Sequence, residues 1–298
     1  MSQMFEPFTA ACVQLNSGTN VDKNVADTSA LVRDAAKQGA SYIQTPEMTT
    51  ILHQNRKALM QAISPQDNNS AISAFSKLAN ELNIWLHIGS MAVELPKAEV
   101  PTDKSPQIAN RGFLFGPDGR IAASYDKIHM FDVDLDNGES WRESALYRPG
   151  ETAMMADLEF GAKPVRLGMA ICYDVRFAHL FRTYAQNGAL VLGTPAAFTK
   201  QTGEAHWHIL QRARAIEHGA FMISAAQAGL HEDGRETFGH SIIVDPWGTI
   251  LAESNGTDAG VITAKIDPQQ AIDARKKIPA LVNDRTFQLR TNSAIQAT

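Results

Sequence analysis

The sequence predicts an α/β protein, and more narrowly a four-layer αββα sandwich with two mixed sheets packed face to face and helices outside. Short β-type runs alternate with amphipathic helical patterns from beginning to end, which is how helices come to cover sheets. Two hairpins resemble each other: Arg111–Phe115, GPDGR and Ile121–Tyr125 in one half, then Ser241–Val244, DPWGT and Ile250–Glu253 in the other. They mark an internal pseudo-repeat with one sheet per half. A sheet with helices on one face still needs a layer on the other, so the two sheets cover each other and the 298 residues form a single domain, 1–298.

In order, Phe8–Leu15 reads as a strand and Val21–Gln38 as a helix, with Asn20 or Asp22 placed to cap it and Gly39 to end it. Ala40–Gln44 is the next strand. Ser70 starts a helix whose Ile72, Phe75, Leu78 and Leu82 recur every three or four residues, and Ile84–Val93 is the strand after it. Residues 94–107 carry three prolines and mixed charge, a surface loop. Residues 131–150 show no period, and so long a loop inside a compact domain predicts an active-site wall. Val165–Ile171 and Leu190–Gly193 are strands, with a helix from about Ala178 to Gln186 between them.

Composition excludes several classes. The chain is 44% hydrophobic and 20% charged, ordinary for a globular protein, with a net charge of −5 and no Lys/Arg run to track a phosphate backbone. Nucleic acid is not expected as a partner. No apolar stretch reaches the roughly 18 residues that a span needs, and the first residues lack a basic segment leading into a long apolar one, so neither membrane nor secretion is expected. Two cysteines make no disulfide framework; a cytoplasmic location with free thiols is the expectation.

Ligands in α/β sheets collect at the carboxyl ends of strands. There stand Glu47 after Thr45-Pro46, Lys127 after Tyr125-Asp126, Cys172 after Val165–Ile171, and Thr194-Pro195-Ala196 after Leu190–Gly193. A thiolate is a nucleophile, a neighbouring ammonium lowers a thiol's pKa or holds an oxyanion, and a carboxylate moves protons. A cysteine at a strand-to-helix turn also leaves the Tyr173 N–H free as an oxyanion donor. Each residue alone has a plainer reading: a core thiol for Cys172, a solvated strand end for Glu47, a surface charge for Lys127. Cys12, inside FTAACVQL with no polar sequel, keeps the core reading, and Asp126 and Asp174 read as local backbone partners.

Together the residues resemble a family. Glu47 in TPEM, Lys127 in YDKIHMFD and Cys172 in GMAICYDVRF look like the three catalytic motifs of the nitrilase superfamily, the carbon–nitrogen hydrolases; TGEAHWHILQRARAIE and GHSIIVDPWGTILAE extend the likeness over about residues 8–275. The resemblance implies the αββα fold and a thioester mechanism without a cofactor, in which Cys172 attacks the amide carbon, Glu47 serves as base and acid, and Lys127 stabilises the tetrahedral intermediate. It implies that Glu143, in WRESALYRPG, positions substrate and lysine, and that chains pair into a homodimer or higher oligomer; the polar tail, 276–298, reads either as an arm at that interface or as a frayed end. YDKIHMFDVDL, CYDVRF and RARAIE look closest to the amidase branch that includes deaminated glutathione amidase and ω-amidase. Its substrates are small amides carrying a carboxylate, which Arg176 could clamp with two hydrogen bonds or forgo for an ion pair with Asp174 or a neighbour. Tyr173, Thr194, Ala196 and Trp207 join Arg176 as expected substrate contacts, although Trp207 reads more readily as core.

His179, Thr194 and His208 depart from the family's usual residues. Alternatives within the superfamily are a nitrilase and an N-carbamoyl amino acid amidohydrolase. A metal-dependent hydrolase finds no H-E-x-x-H, and His206 and His208, two apart, would point to different sides of a helix. A binding scaffold without catalysis would not need all three polar groups.

Overall fold

A computed structural model of the chain describes residues 5–96, 108–135, 138 and 140–290. The first half contains β1 (Phe8–Gln14), α1 (Val21–Lys37), β2 (Tyr42–Gln44), α2 (Arg56–Ala62), α3 (Ser70–Leu82), β3 (Trp85–Glu94), β4 (Ile108–Phe115) and β5 (Ile121–Asp126). The second contains β6 (Met154–Leu158), β7 (Val165–Met169), α4 (Ala178–Gln186), β8 (Val191–Gly193), α5 (Lys200–His218), β9 (Phe221–Ser224), β10 (Ile242–Val244) and β11 (Ile250–Glu253), followed by β12 (Gly260–Ile266) and α6 (Pro268–Lys277).

The sheets run β12-β1-β2-β3-β4-β5, with Tyr147–Arg148 added beside β4, and β6-β7-β8-β9-β10-β11. The pseudo-repeat is present strand for strand. In β1 to β5 and again in β7 to β11, the first three strands are parallel and the last two return antiparallel. An antiparallel outer strand flanks each set, β12 against β1 and β6 against β7.

Local chemistry sets the helix ends. The Asn20 side chain accepts the Lys23 N–H at 2.9 Å to open α1, and Asn69 does the same for Ala71 and Ile72 at the start of α3. Both helices then bury an apolar stripe: Val32 and Ala35, with Ile72, Phe75 and Leu78, cover Ala11, Val13, Ile43, Leu86 and Ile88 on the outer face of the first sheet. Alternate residues of the same strands point inward, where Ala10, Cys12, Tyr42 and Leu114 meet Leu167, Met169, Leu192 and Ile243 of the second sheet. Burying one such aliphatic side chain contributes about 1.5–3 kcal/mol, so both faces are needed to hold four layers together. Cys12 is fully buried in this inner layer, as expected.

At one edge of the core the backbones themselves touch. A Cβ on Gly89 would lie 2.1 Å from the Thr45 carbonyl oxygen and 2.4 Å from Pro195 Cβ, so only glycine lets the ends of β2, β3 and β8 converge. The patternless stretch 131–150 contains a small hairpin, Asp132–Asp134 with Ser140–Arg142, then a 3₁₀ turn at Glu143–Ala145. Of the expected loop 94–107, Glu94 ends β3 and residues 97–107 lie outside the described residues, as does 291–298 of the tail. Among the described residues, no helix is long and apolar enough to cross a membrane.

Candidate active site

Glu47, Lys127 and Cys172 converge on a cavity of about 320 Å³ at the carboxyl ends of the parallel strands. Each arrives by a different device. Pro46 follows β2, and the backbone carbonyls of Glu47 and Met48 accept from the Gln227 amide at 3.0 and 3.3 Å, pinning this loop to the other half of the chain. Lys127 follows β5, its own N–H bonded to the Asn110 carbonyl of β4 at 3.0 Å. Cys172 begins a 3₁₀ turn, Cys172–Arg176, after β7, with a left-handed φ of 51° that costs a cysteine strain and turns the chain sharply.

The Asp174 carboxylate holds that turn in place. It accepts from the Ile171 N–H at 2.8 Å, the local bond expected of it, and also from the Tyr125 hydroxyl at 2.7 Å and the His129 N–H at 3.0 Å. Tyr125 and His129 flank Lys127, so one buried carboxylate ties the cysteine turn to the lysine strand.

Lys127 sits between two carboxylates. Its Nζ donates to Glu47 Oε1 at 2.8 Å and to both oxygens of Glu143 at 3.0 and 2.8 Å. Asn110 Nδ2 donates to the same two glutamates at 2.8 and 3.1 Å, and the Phe131 N–H fixes Glu143 Oε2 at 2.7 Å. The other oxygen of Glu47 accepts from the Ala197 N–H at 3.0 Å. Such a cluster is stable only when every partner stays, because one uncompensated buried charge costs about 3–5 kcal/mol.

These neighbours set the protonation states. Burial pushes the Glu47 carboxyl up, but the Lys127 charge and hydrogen bonds from Lys127, Cys172 and Asn110 outweigh it and hold the group below the usual carboxylate range. Burial opposes charge on Lys127 too, yet Glu143 and Glu47 raise its pKa well above that of a free lysine. Cys172 moves upward, first through burial and then through the Glu47 charge; Lys127 pulls the other way and loses. The sequence leaves thiol activation and oxyanion binding both open for Lys127, and the electrostatics favour the second. The cysteine rests as a thiol beside an ionised carboxylate.

The rest of the expected set divides. Tyr173 and Arg176 line the cavity. Arg176 does not pair with Asp174; its guanidinium lies 5.8 Å from the Tyr173 ring centroid and 5.6 Å from that of Phe198, with His206 Nδ1 at 3.3 Å. No carboxylate among the described residues is bridged to it. Thr194, Ala196 and Trp207 do not line the cavity. Thr194 and Ala196 are fully buried one layer behind it, their N–H groups bonded to Ile223 and Ala225, while Ala197 and Phe198 form the wall. Trp207 packs edge-on against Phe198 from behind and donates Nε1–H to the His240 carbonyl at 2.8 Å. Sequence reasoning missed Asn110, a fully buried polar residue of β4 next to Arg111. It also missed Arg235, which lines the cavity and stacks 4.7 Å from the Trp141 ring centroid.

Comparison with known proteins gives this arrangement its context. Residues 9–276 match the family model of the carbon-nitrogen hydrolases. The chain is 36% identical to the deaminated glutathione amidase of Yersinia enterocolitica over 276 residues, 92% of each protein. It is 32% identical to the omega-amidase of Homo sapiens over 279 residues, 94% of this chain and 95% of that one. The crystal structure of a Saccharomyces cerevisiae member of branch 10 of the nitrilase superfamily superposes with a TM-score of 0.80 at 27% identity, covering 93% of this chain and 96% of that one. With a four-layer sandwich built as the motifs imply and a family match spanning nearly its whole length, this chain belongs to the carbon–nitrogen hydrolase family.

Proposed function

We propose that the protein hydrolyses the amide of a small carboxylate-bearing compound to the acid and ammonia through a thioester on Cys172. The observation that carries this reading is the Glu47 carboxylate, which holds the Lys127 ammonium at 2.8 Å in the wall of the same cavity that Cys172 lines. The deaminated glutathione amidase and omega-amidase relatives act on substrates of this class by name, which supports it further.

Glu47 takes the thiol proton as sulfur attacks the amide carbon, so no free thiolate need accumulate. The oxyanion meets the Lys127 ammonium and the Tyr173 N–H, which lies in the first turn of a 3₁₀ segment and lacks an acceptor within it. Protonated Glu47 returns its proton to the departing nitrogen, and ammonia leaves. Water then attacks the thioester, giving one proton to Glu47, which passes it to the sulfur as the acid departs. Glu143 and Asn110 hold Lys127 and Glu47 in register throughout. Arg176, free of a carboxylate partner at the cavity wall, receives the substrate's carboxylate.

The test is an ammonia-release screen over α-keto acid ω-amides, deaminated glutathione, carbamoyl amino acids, neutral amides and nitriles, with intact-mass detection of the acyl adduct. Carboxylate-bearing amides turn over fastest, Cys172→Ala abolishes release, and Arg176→Ala raises KM for the acidic amides alone. Release by Cys172→Ala at the parent rate would refute the mechanism, and equal turnover of neutral amides would refute the substrate class. Two free cysteines suit a reducing, cytoplasmic setting. The exposed Ile209 and Ile216 of α5 suit a homo-oligomer, which light scattering would test.

A further inference from the structure

The face of α5 turned away from the cavity carries a second convergence of chemically active side chains. His208 projects from α5, His240 stands just before β10, and Glu253 closes β11. Their ligand atoms all lie within 4.8 Å of one another, with His208 Nε2 at 2.8 Å and His240 Nδ1 at 2.7 Å from the same oxygen, Oε1 of Glu253. None of the three lines the cavity. Nothing in the amidase chemistry uses His208. We propose that His208, His240 and Glu253 bind a divalent transition-metal ion of the zinc class, fastening α5 to the β10–β11 hairpin.

The donor set selects the ion. Two imidazoles and one carboxylate suit zinc and its neighbours, whereas magnesium and calcium demand oxygen throughout. The spacing is close to what coordination needs: ligands about 2.0–2.2 Å from a tetrahedral zinc stand roughly 3.3–3.5 Å apart. Both nitrogen-to-oxygen separations fall short of that by about half an ångström, within reach of a small side-chain rotation. Three protein ligands leave a position for water, and the side chains are 29–35% exposed, so an ion has a path in.

The rings are held ready. His240 has a left-handed φ of 57°, and its ring stacks on Phe238 with centroids 4.4 Å apart. Phe238 also meets the His208 ring edge-on at 5.8 Å, so one aromatic side chain orients both imidazoles. Gly256 leaves the room: a Cβ there would lie 2.9 Å from His240 Nε2. The His240 carbonyl accepts the Trp207 indole N–H, which anchors the loop to α5 itself. His208 and His240 lie 45 and 13 positions before Glu253, so no local spacing could advertise the three.

The experiment uses the full chain carrying Cys172→Ala, which removes the active-site thiol as a competing soft ligand and leaves the outcome independent of the amidase reading. Zinc titrated by calorimetry should bind one ion per chain and raise the thermal midpoint, and cobalt at the same site should give a visible d–d band. His208→Gln and Glu253→Gln, added singly, should each weaken zinc binding by at least about tenfold while leaving the zinc-free midpoint where it was. His240→Asn, which tolerates the left-handed backbone, should do the same. One-to-one binding that survives His208→Gln unchanged, or weak binding without a defined stoichiometry, would overturn the proposal.

Discussion

The strands β2 and β8 hold the same place in the two halves and end in nearly the same residues, Gln44-Thr45-Pro46-Glu47 and Gly193-Thr194-Pro195-Ala196. The backbone treats them alike: Thr45 N–H bonds the His87 carbonyl of β3, and Thr194 N–H bonds the Ile223 carbonyl of β9. The side chains diverge. The first half ends in an ionised carboxylate, and the second offers an alanine followed by the Ala197 N–H that this carboxylate accepts. The same asymmetry recurs where β7 runs into Cys172 while β1 runs into Leu15, with the Cys172 N–H resting on the Pro195 carbonyl at 2.9 Å. A repeated scaffold thus provides the positions; Glu47 of the first half is seated on the Ala197 N–H of the second, while Cys172 rests on the Pro195 carbonyl of its own half.

Making the halves alike should be ruinous. Ala196→Glu would place a second carboxylate, without a cation, at a fully buried position, and more than about 4 kcal/mol of stability should be lost. Denaturant midpoints or soluble yield would show it; a variant as stable as the parent would mean that the second site is roomier than the structure indicates. Next come the reactive groups themselves. Glu47→Gln and Lys127→Ala should each cut turnover per folded molecule by about 10²–10⁴-fold, Lys127→Ala also losing about 3–5 kcal/mol of stability through the carboxylates it leaves unpaired, and near-normal kinetics in either would remove that residue from the chemistry.

A third contrast lies one strand over, where His87 faces Ile223 across the pseudo-symmetry. Burial presses the His87 pKa from 6.5 down to about 3. A depressed histidine stabilises the fold fully above pH 6.5, and that stability drains as the pH falls toward 3, because the unfolded chain takes up a proton that the folded chain refuses. About 3 kcal/mol should be gone by pH 4, and His87→Gln should flatten the dependence of the unfolding midpoint on pH between 6.5 and 4. The last contrast concerns Gly89, whose counterpart position holds Ala225. Gly89→Ala should cost about 3 kcal/mol or more in thermal or denaturant unfolding, since its methyl would run into the Thr45 and Pro46 carbonyl oxygens and Pro195.

Much of this was legible in the residues. Periodicity located α3, the Asn20 cap and Gly39 located α1, and the turn after Cys172 located α4, each to within a residue, because the apolar stripe and the helix ends are both written locally. The paired hairpins exposed the repeat, since PDG and PWG turns carry their own signature. The placement of β12 beside β1 was not legible, because pairing between strands so far apart leaves no local mark. The same limit explains the misplaced pocket residues. A strand end tells where the chain arrives, yet not which way each side chain turns, and so Thr194 and Ala196 face the core while Ala197 and Phe198 face the cavity. Arg235 comes from a hairpin, Ala228–Leu230 with Glu236–Phe238, that has no sequence period at all. Asp174 was half legible: its local bond is a matter of spacing, its bonds to Tyr125 and His129 are not.

The resting state of Cys172 has a consequence for durability. Peroxides and soft electrophiles react with the anionic form of sulfur, and burial together with the Glu47 charge keeps that form scarce. On the proposed mechanism, the residue that forms the thioester would thereby be shielded from oxidation between catalytic cycles, turning nucleophilic only as an amide substrate settles beside Glu47.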